Sequence, residues 1–237
     1  GRVDRSILRD NYTWYAGGAA HAEHGGVVSG CFLFNNWSRE LGGGAVLSYG
    51  GTLENSALLN NHAEFQGGAI VFDGPKGIVR QCTLTGNSAG RSGAAWQGAN
   101  AEVTVVNSIA WGNSGLAPFN GTVGTNRFNC IENWTSGGEG ILSVDPKLIQ
   151  GYRLAPDSPC RGAGLAGASS GADIEGGAWA SPPSMGCDEP VSGATSGPLG
   201  VAFVVPRADY RTVRIAAGHA FEFLALVTGR ADRIEWD

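Results

Sequence analysis

Basic charge is the first thing this chain lacks. Only two of its 237 residues are lysine (Lys76 and Lys147), and the 16 basic residues face 21 acidic ones, for a formal net charge of −5. No basic stripe is available to neutralise phosphates, which excludes a nucleic-acid partner. Charged residues of both signs make up 16%, well short of the usual quarter. No apolar run approaches the roughly 18 residues of a membrane span. The five cysteines, at 31, 82, 130, 160 and 187, include no C-x-x-C pair, which argues against a zinc site. An apolar leader is also missing. Gly1-Arg2-Val3-Asp4-Arg5 is charged and runs straight into a repeat, so the start reads as a processed or cut end.

What is abundant is glycine, 39 of 237 residues, beside 42% apolar residues. There is no G-X-Y period, which excludes collagen, and the apolar content excludes a disordered tract. Short strands and tight turns fit this composition; helices do not.

An internal repeat organises the chain. Ser6-Ile7-Leu8-Arg9-Asp10-Asn11 recurs as Cys31-Phe32-Leu33-Phe34-Asn35-Asn36, Ser56-Ala57-Leu58-Leu59-Asn60-Asn61, Cys82-Thr83-Leu84-Thr85-Gly86-Asn87 and Ser108-Ile109-Ala110-Trp111-Gly112-Asn113. The closing asparagines are 25, 25, 26 and 26 residues apart. A second marker keeps the same period: Gly17-Gly18-Ala19, Gly43-Gly44-Ala45, Gly67-Gly68-Ala69 and the weaker Ser92-Gly93-Ala94. Leucine-rich repeats of this length need more leucines, and helical repeats are longer and poorer in glycine. A parallel β-helix fits, with one coil per repeat, three short strands per coil and coils about 4.8 Å apart.

Strand alternation places Ser6, Cys31, Ser56, Cys82 and Ser108 inside, together with Leu8, Leu33, Leu58, Leu84 and Ala110. Cys130 is expected to continue the serine/cysteine column. Arg9, Phe34, Thr85 and Trp111 point outward. Asn11, Asn36, Asn61, Asn87 and Asn113 are expected at turns with φ > 0, hydrogen-bonded as a ladder from coil to coil. Ala19, Ala45, Ala69 and Ala94 are expected to face inward. Third strands begin at Gly26-Val27-Val28, Gly51-Thr52-Leu53, Gly77-Ile78-Val79 and Val103-Thr104-Val105.

The order of these elements resembles the right-handed parallel β-helix proteins of the pectate-lyase-like superfamily. The stretch after the coils narrows the resemblance. Cys130-Ile131-Glu132-Asn133, Val144-Asp145-Pro146-Lys147-Leu148, Tyr152-Arg153-Leu154, Ser158-Pro159-Cys160 and Met185-Gly186-Cys187-Asp188-Glu189 resemble the C-terminal signature of bacterial proteins of the choice-of-anchor Q type. The likeness spans about residues 6 to 190 and departs at Arg161-Gly162-Ala163-Gly164, where that signature has an aspartate. It implies a secreted or cell-surface location and a structural or binding role such as adhesion. It also keeps a polysaccharide lyase or glycoside hydrolase in view. Fold alone does not decide between them.

Composition changes near residue 200. The last 37 residues hold two glycines but 10 of the chain's 37 charged residues. Three segments are therefore expected: a β-helix with an irregular C-terminal cap over 1–190, a linker over 191–200, and the start of a β-sandwich over 201–237. Arg230–Asp237 resembles the strand leading into the W-D-F-G-D-G motif of PKD-like immunoglobulin-type modules. The fold class expected is all-β throughout.

Candidate chemistry is sparse. A lyase would draw on Asp73, Lys76 and Arg80 within one coil, and a hydrolase on Glu40 and Glu64 if these stack in neighbouring coils; each set also reads as a solvated edge. The histidines at 21, 24, 62 and 219 share no register, so neither a metal site nor a triad is expected. No cofactor is expected, with calcium at Asp173, Glu175 or Asp188 as an open alternative whose spacing matches no calcium loop. Cys31 and Cys82 lie two coils apart, too far to bridge, whereas Cys160 and Cys187 are candidates for a disulfide. Tyr12, Trp14, Tyr15, Trp37 and Phe65 follow the asparagine turn in three coils, and Trp111 projects from its strand. They suit loop packing, or a contact surface for a polysaccharide, another surface protein or a second copy of the chain in a filament.

Overall fold

A short strand that must turn every few residues needs corners that ordinary residues tolerate poorly, and the repeat supplies them. The structure, a computed structural model, describes residues 1–117, 119–190, 200–204 and 224–228, in two compact units, Gly1–Pro190 and Val191–Asp237. Every regular element among the described residues is a β-strand. The first unit is a parallel β-solenoid of about five turns.

Three strand columns build it. The hexapeptide forms one: Ile7–Arg9, Phe32–Phe34, Ala57–Leu59, Thr83–Thr85, Ile109–Trp111 and Cys130–Ile131, all parallel and in register. After the asparagine comes a column of two-residue strands, Tyr12–Thr13, Trp37–Ser38, His62–Ala63 and Ser88–Ala89. The third sheet carries two runs per coil, Ala20–Ala22 to Ile70–Asp73 and Arg2–Asp4 to Lys76–Arg80, which merge in the long strand Trp96–Val106.

Two left-handed residues bracket the strand of each hexapeptide. Arg5, Gly30, Asn55, Gln81 and Asn107 precede it, and Asp10, Asn35, Asn60, Gly86 and Gly112 close it, all at φ between 42° and 66°. The left-handed residue at the closing corner is therefore the one before the ladder asparagine. The ladder asparagine keeps ordinary backbone because its amide must point inward to reach the neighbouring coils. Asn11, Asn36, Asn61 and Asn87 each donate Nδ2 to the Oδ1 of the next asparagine, ending at Asn113, at 2.8–3.0 Å.

The serine/cysteine column caps the other corner: Ser56 and Ser108 Oγ accept the amides of Cys31 and Cys82 at 3.0 and 3.2 Å. Its last member is Asn129, whose Oδ1 accepts the Ser108 amide at 2.6 Å. Cys130 instead pairs with Ile109 and faces outward. The sequence alignment was one residue out at this coil because Asn129, the residue that replaces serine, resembles neither serine nor cysteine.

The glycine corner shows a similar slip. Ala20, Ala45, Ile70 and Trp96 stack, which aligns Gly17, Gly42, Gly67 and Gly93, all at φ between 62° and 72°. The second residue of each pair must be small for a different reason: a Cβ on Gly68 would lie 2.5 Å from the Ser88 carbonyl oxygen. The core between the sheets is filled by Leu33, Leu47, Leu53, Leu58, Ile70, Phe72, Leu84 and Trp96. Where the chain carries Phe72, the following strand carries Gly77, whose added Cβ would lie 2.5 Å from the ring. In the next coil Gly98 stacks on Phe72 and Val103 on Gly77, so the large and small members exchange places.

After the coils the chain does two things. Residues near 139–142 bridge onto the last coil at Arg127 and Cys130, closing that end. The chain then runs back along the outer face of the hexapeptide sheet. Thr85 Oγ1 donates to Gly151 O, Asn55 Nδ2 to Ser170 O, and the Cys187 amide to Thr83 Oγ1. The outward residues Ile109 and Cys130 are thereby sealed into a second core with Leu154, Cys160 and Met185.

The expected Cys160–Cys187 bridge is not present: all five cysteines are free and buried. Cys187 packs against Thr83, and Cys160 shares a buried cluster with Cys130. In the second unit, Gly200–Val204 pairs antiparallel with Leu224–Thr228. Most of the linker expected over 191–200, and the PKD-like stretch Arg230–Asp237, lie outside the described residues.

Candidate binding surface

The column of two-residue strands presents its outward side chains at coil spacing, so like residues meet like. Tyr12 stacks on Trp37 at 4.5 Å between ring centroids and 12° between planes. Trp37 continues to His62 at 6.2 Å and 13°, and His62 Nδ1 lies 2.7 Å from Ser88 Oγ. The ring faces of this column are largely used on one another. What it offers to solvent is edges.

Free ring surface comes from the next two positions. Trp14, Arg39 and Glu64 form one column: the Arg39 guanidinium lies 4.6 Å over the Trp14 ring and its Nε is 3.7 Å from a Glu64 oxygen. Tyr15, Glu40, Phe65 and Arg91 form the other, with Arg91 4.6 Å over Phe65. Tyr15 is 75% exposed, Trp14 61% and Tyr12 51%. The surface is thus a strip of aromatic edges and faces with two solvent-exposed guanidinium groups laid over rings. Arg39, Arg91 and Ser88 carry no sequence-level expectation, and His62 was read only as a histidine out of register, although the 25-residue interval from Trp14 through Arg39 to Glu64 was there to be read.

Other candidates fall elsewhere. Trp111 is half-buried and packs against the second core, so it does not belong to the strip; the returning chain covers its side of the solenoid. Glu40 and Glu64 occupy different columns, and Glu64 is held by Arg39. Asp73 and Lys76 flank the Gly74-Pro75 turn, where Ser48 and Ala99 are the stacked neighbours of Asp73. Arg80 is bound by Glu54 at 2.9 Å through Nε. Among the described residues no three His, Cys, Asp or Glu side chains gather as a metal site requires. Asp173 accepts the amides of Glu175, Gly177 and Glu189, and Glu175 accepts from Tyr152 Oη and Arg153 Nε.

A groove of about 470 Å³ lies between the hexapeptide corner of the first three coils and residues 170–176. Asp4, Glu54, Asp173 and Glu175 line it with Arg2 and Arg5. Its acids are engaged already: Asp4 and Glu54 by Arg2, Glu54 also by Arg80, Glu175 by Arg153. No helix among the described residues is long and apolar enough to cross a membrane. Comparison with protein-family models, curated proteins and solved structures finds no match to this chain.

Proposed function

We propose that this chain is a structural and binding segment of a secreted or cell-surface bacterial protein of the choice-of-anchor Q type, with a PKD-like module following the solenoid. Its aromatic strip is the contact surface, and its ligand is a polysaccharide. The supporting observation is the set of exposed rings, Tyr12, Trp14, Tyr15 and Phe65, aligned on one flat side of a rigid scaffold beside Arg39 and Arg91. Ring surfaces suit the apolar faces of sugars, and guanidinium groups suit hydroxyl or carboxylate substituents. Affinity electrophoresis against neutral and uronic-acid polysaccharides tests the reading. Retardation by at least one of them, lost in Trp14→Ala/Tyr15→Ala with unchanged circular dichroism, supports it; no retardation by any of them sinks it.

A second reading, hydrolysis or lysis of a polysaccharide, would use the groove between the coils and residues 170–176, which Glu54 lines. An assay for new reducing or unsaturated ends, repeated with Glu54→Gln, separates that activity from binding alone.

A further inference from the structure

Two thiols come together where the solenoid meets the chain that covers it. Cys130 leaves the last coil on the outward side of the strand Cys130–Ile131, beside Ile109, and its Sγ donates to the Val144 carbonyl at 3.2 Å. Cys160 sits in the covering chain, held by its amide to Ser158 Oγ at 3.2 Å and by its carbonyl to the Met185 amide at 2.9 Å. Both are completely buried in one small apolar cluster with Ile109, Leu154 and Met185. The other three cysteines have different partners. Cys31 and Cys82 face inward and donate to the carbonyls of Ser29 and Arg80 at 3.1 Å each, and Cys187 packs on Thr83.

We propose that Cys130 and Cys160 are a disulfide-forming pair whose closure ties the covering chain to the last coil of the solenoid. The oxidant is a disulfide donor such as oxidised glutathione. The Cys130 thiolate attacks the donor disulfide, forming a mixed disulfide and releasing one donor thiolate. Cys160 then gives up its proton and attacks the Cys130 sulfur, forming the bridge and releasing the second donor thiolate. The two protons lost by the protein end on the two donor thiols, and the donor has taken up two electrons.

Because neither sulfur is exposed, exchange takes place while the chain folds, and the finished bridge is shielded from reductant. An oxidising compartment is where such a bridge persists. Cys187 packs instead against Thr83, its amide donating to the Thr83 hydroxyl.

The test is refolding of the full reduced chain with oxidised and reduced glutathione, then alkylation in denaturant and peptide mapping. Of the five cysteines, Cys31, Cys82 and Cys187 are expected to be alkylated, with one linked peptide pair joining Cys130 to Cys160. The bridge should survive dithiothreitol in buffer and be cut once guanidinium is added. It should also raise the thermal midpoint by roughly 5 °C or more over the reduced protein. Cys187→Ser should retain the linked pair. Five alkylated cysteines, or Cys160 linked to any residue other than Cys130, overturns the proposal; the wild-type map decides this even if a variant fails to fold.

Discussion

Asn61 makes four side-chain hydrogen bonds from a position with no solvent exposure. Its Oδ1 accepts from the Asn36 amide and Nδ2 at 3.1 and 2.9 Å, and its Nδ2 donates to Leu33 O and Asn87 Oδ1 at 2.9 and 3.0 Å. Asn61→Ala leaves several of these partners buried without replacement, which should cost about 3 kcal/mol or more. Asn11, exposed at the end of the ladder, should cost less than about 1 kcal/mol when truncated. Urea unfolding measures both, and equal losses would contradict the ladder as the source of the effect. Asp188 sets a different residue-scale effect. Burial first, then the nearby charges of Glu175 and Asp173, push its carboxyl up to about 7, against a weaker opposing pull from Arg153 and the Leu154 amide. Unfolded, the group titrates near the ordinary value of about 3.9. The folded state therefore binds the extra proton between these values, and the stability of the neutral form is full below pH 4 and lost as pH rises to about 7. The denaturation midpoint should fall between pH 5 and pH 8, and Asp188→Asn should flatten that fall and exceed the wild type at pH 8. A wild-type midpoint that rises over the same range would reject the assignment.

Elements in this fold are too short to be stable alone, so side-chain volume has to match across each coil as well as between coils. Phe72 and Gly77 are such a matched pair on successive runs of one coil, and Gly98 with Val103 is the reverse arrangement one coil on. Gly77→Ala drives a methyl group into the Phe72 ring and should cost about 2 kcal/mol. Phe72→Ala opens a cavity in a fully buried position and should cost about 3–5 kcal/mol. The double variant Phe72→Ala/Gly77→Val refills part of that space and should be more stable than Phe72→Ala alone. A double variant whose loss equals the sum of the Phe72→Ala and Gly77→Val losses would show that the two positions do not share volume. The glycine corners divide their work in a comparable way: the first residue supplies positive φ, and the second leaves room for the carbonyl of the adjacent coil.

At the scale of the whole solenoid, the hexapeptide sheet past its first coil, where Ile7 stays exposed, is covered on both sides, inside by the main core and outside by the chain that returns over residues 145–189. A sheet face carrying Phe32, Ala57, Ile109 and Cys130 is too apolar to be left open to water. Removal of everything after residue 142 should therefore give a protein with a lower thermal midpoint and strong binding of a hydrophobic dye, measured by fluorescence. An unchanged midpoint with no dye binding would mean that the covering chain is dispensable. The opposite side, with Tyr12, Trp14, Tyr15 and Phe65, stays exposed, and this asymmetry is why that side is the one proposed to meet a ligand.

The parallel solenoid, its coil length and the inward Leu8, Leu33, Leu58 and Leu84 were all legible in the sequence, because each coil meets the same steric problem and answers it with similar residues. The aromatic strip was legible in outline for the same reason, through Tyr12, Trp14, Tyr15, Trp37 and Phe65. Positions where a coil solves the problem with a different residue were not legible. Asn129 in the serine/cysteine place displaced Cys130 from the inward column, and the slip from Gly42 to Gly43 misplaced one corner. The path of residues 145–189 has no period at all, so only tertiary contacts could show that they lie along the hexapeptide sheet, bury Trp111 and bring Cys160 to Cys130. Local repetition determined the scaffold; long-range packing decided which of its faces was left exposed.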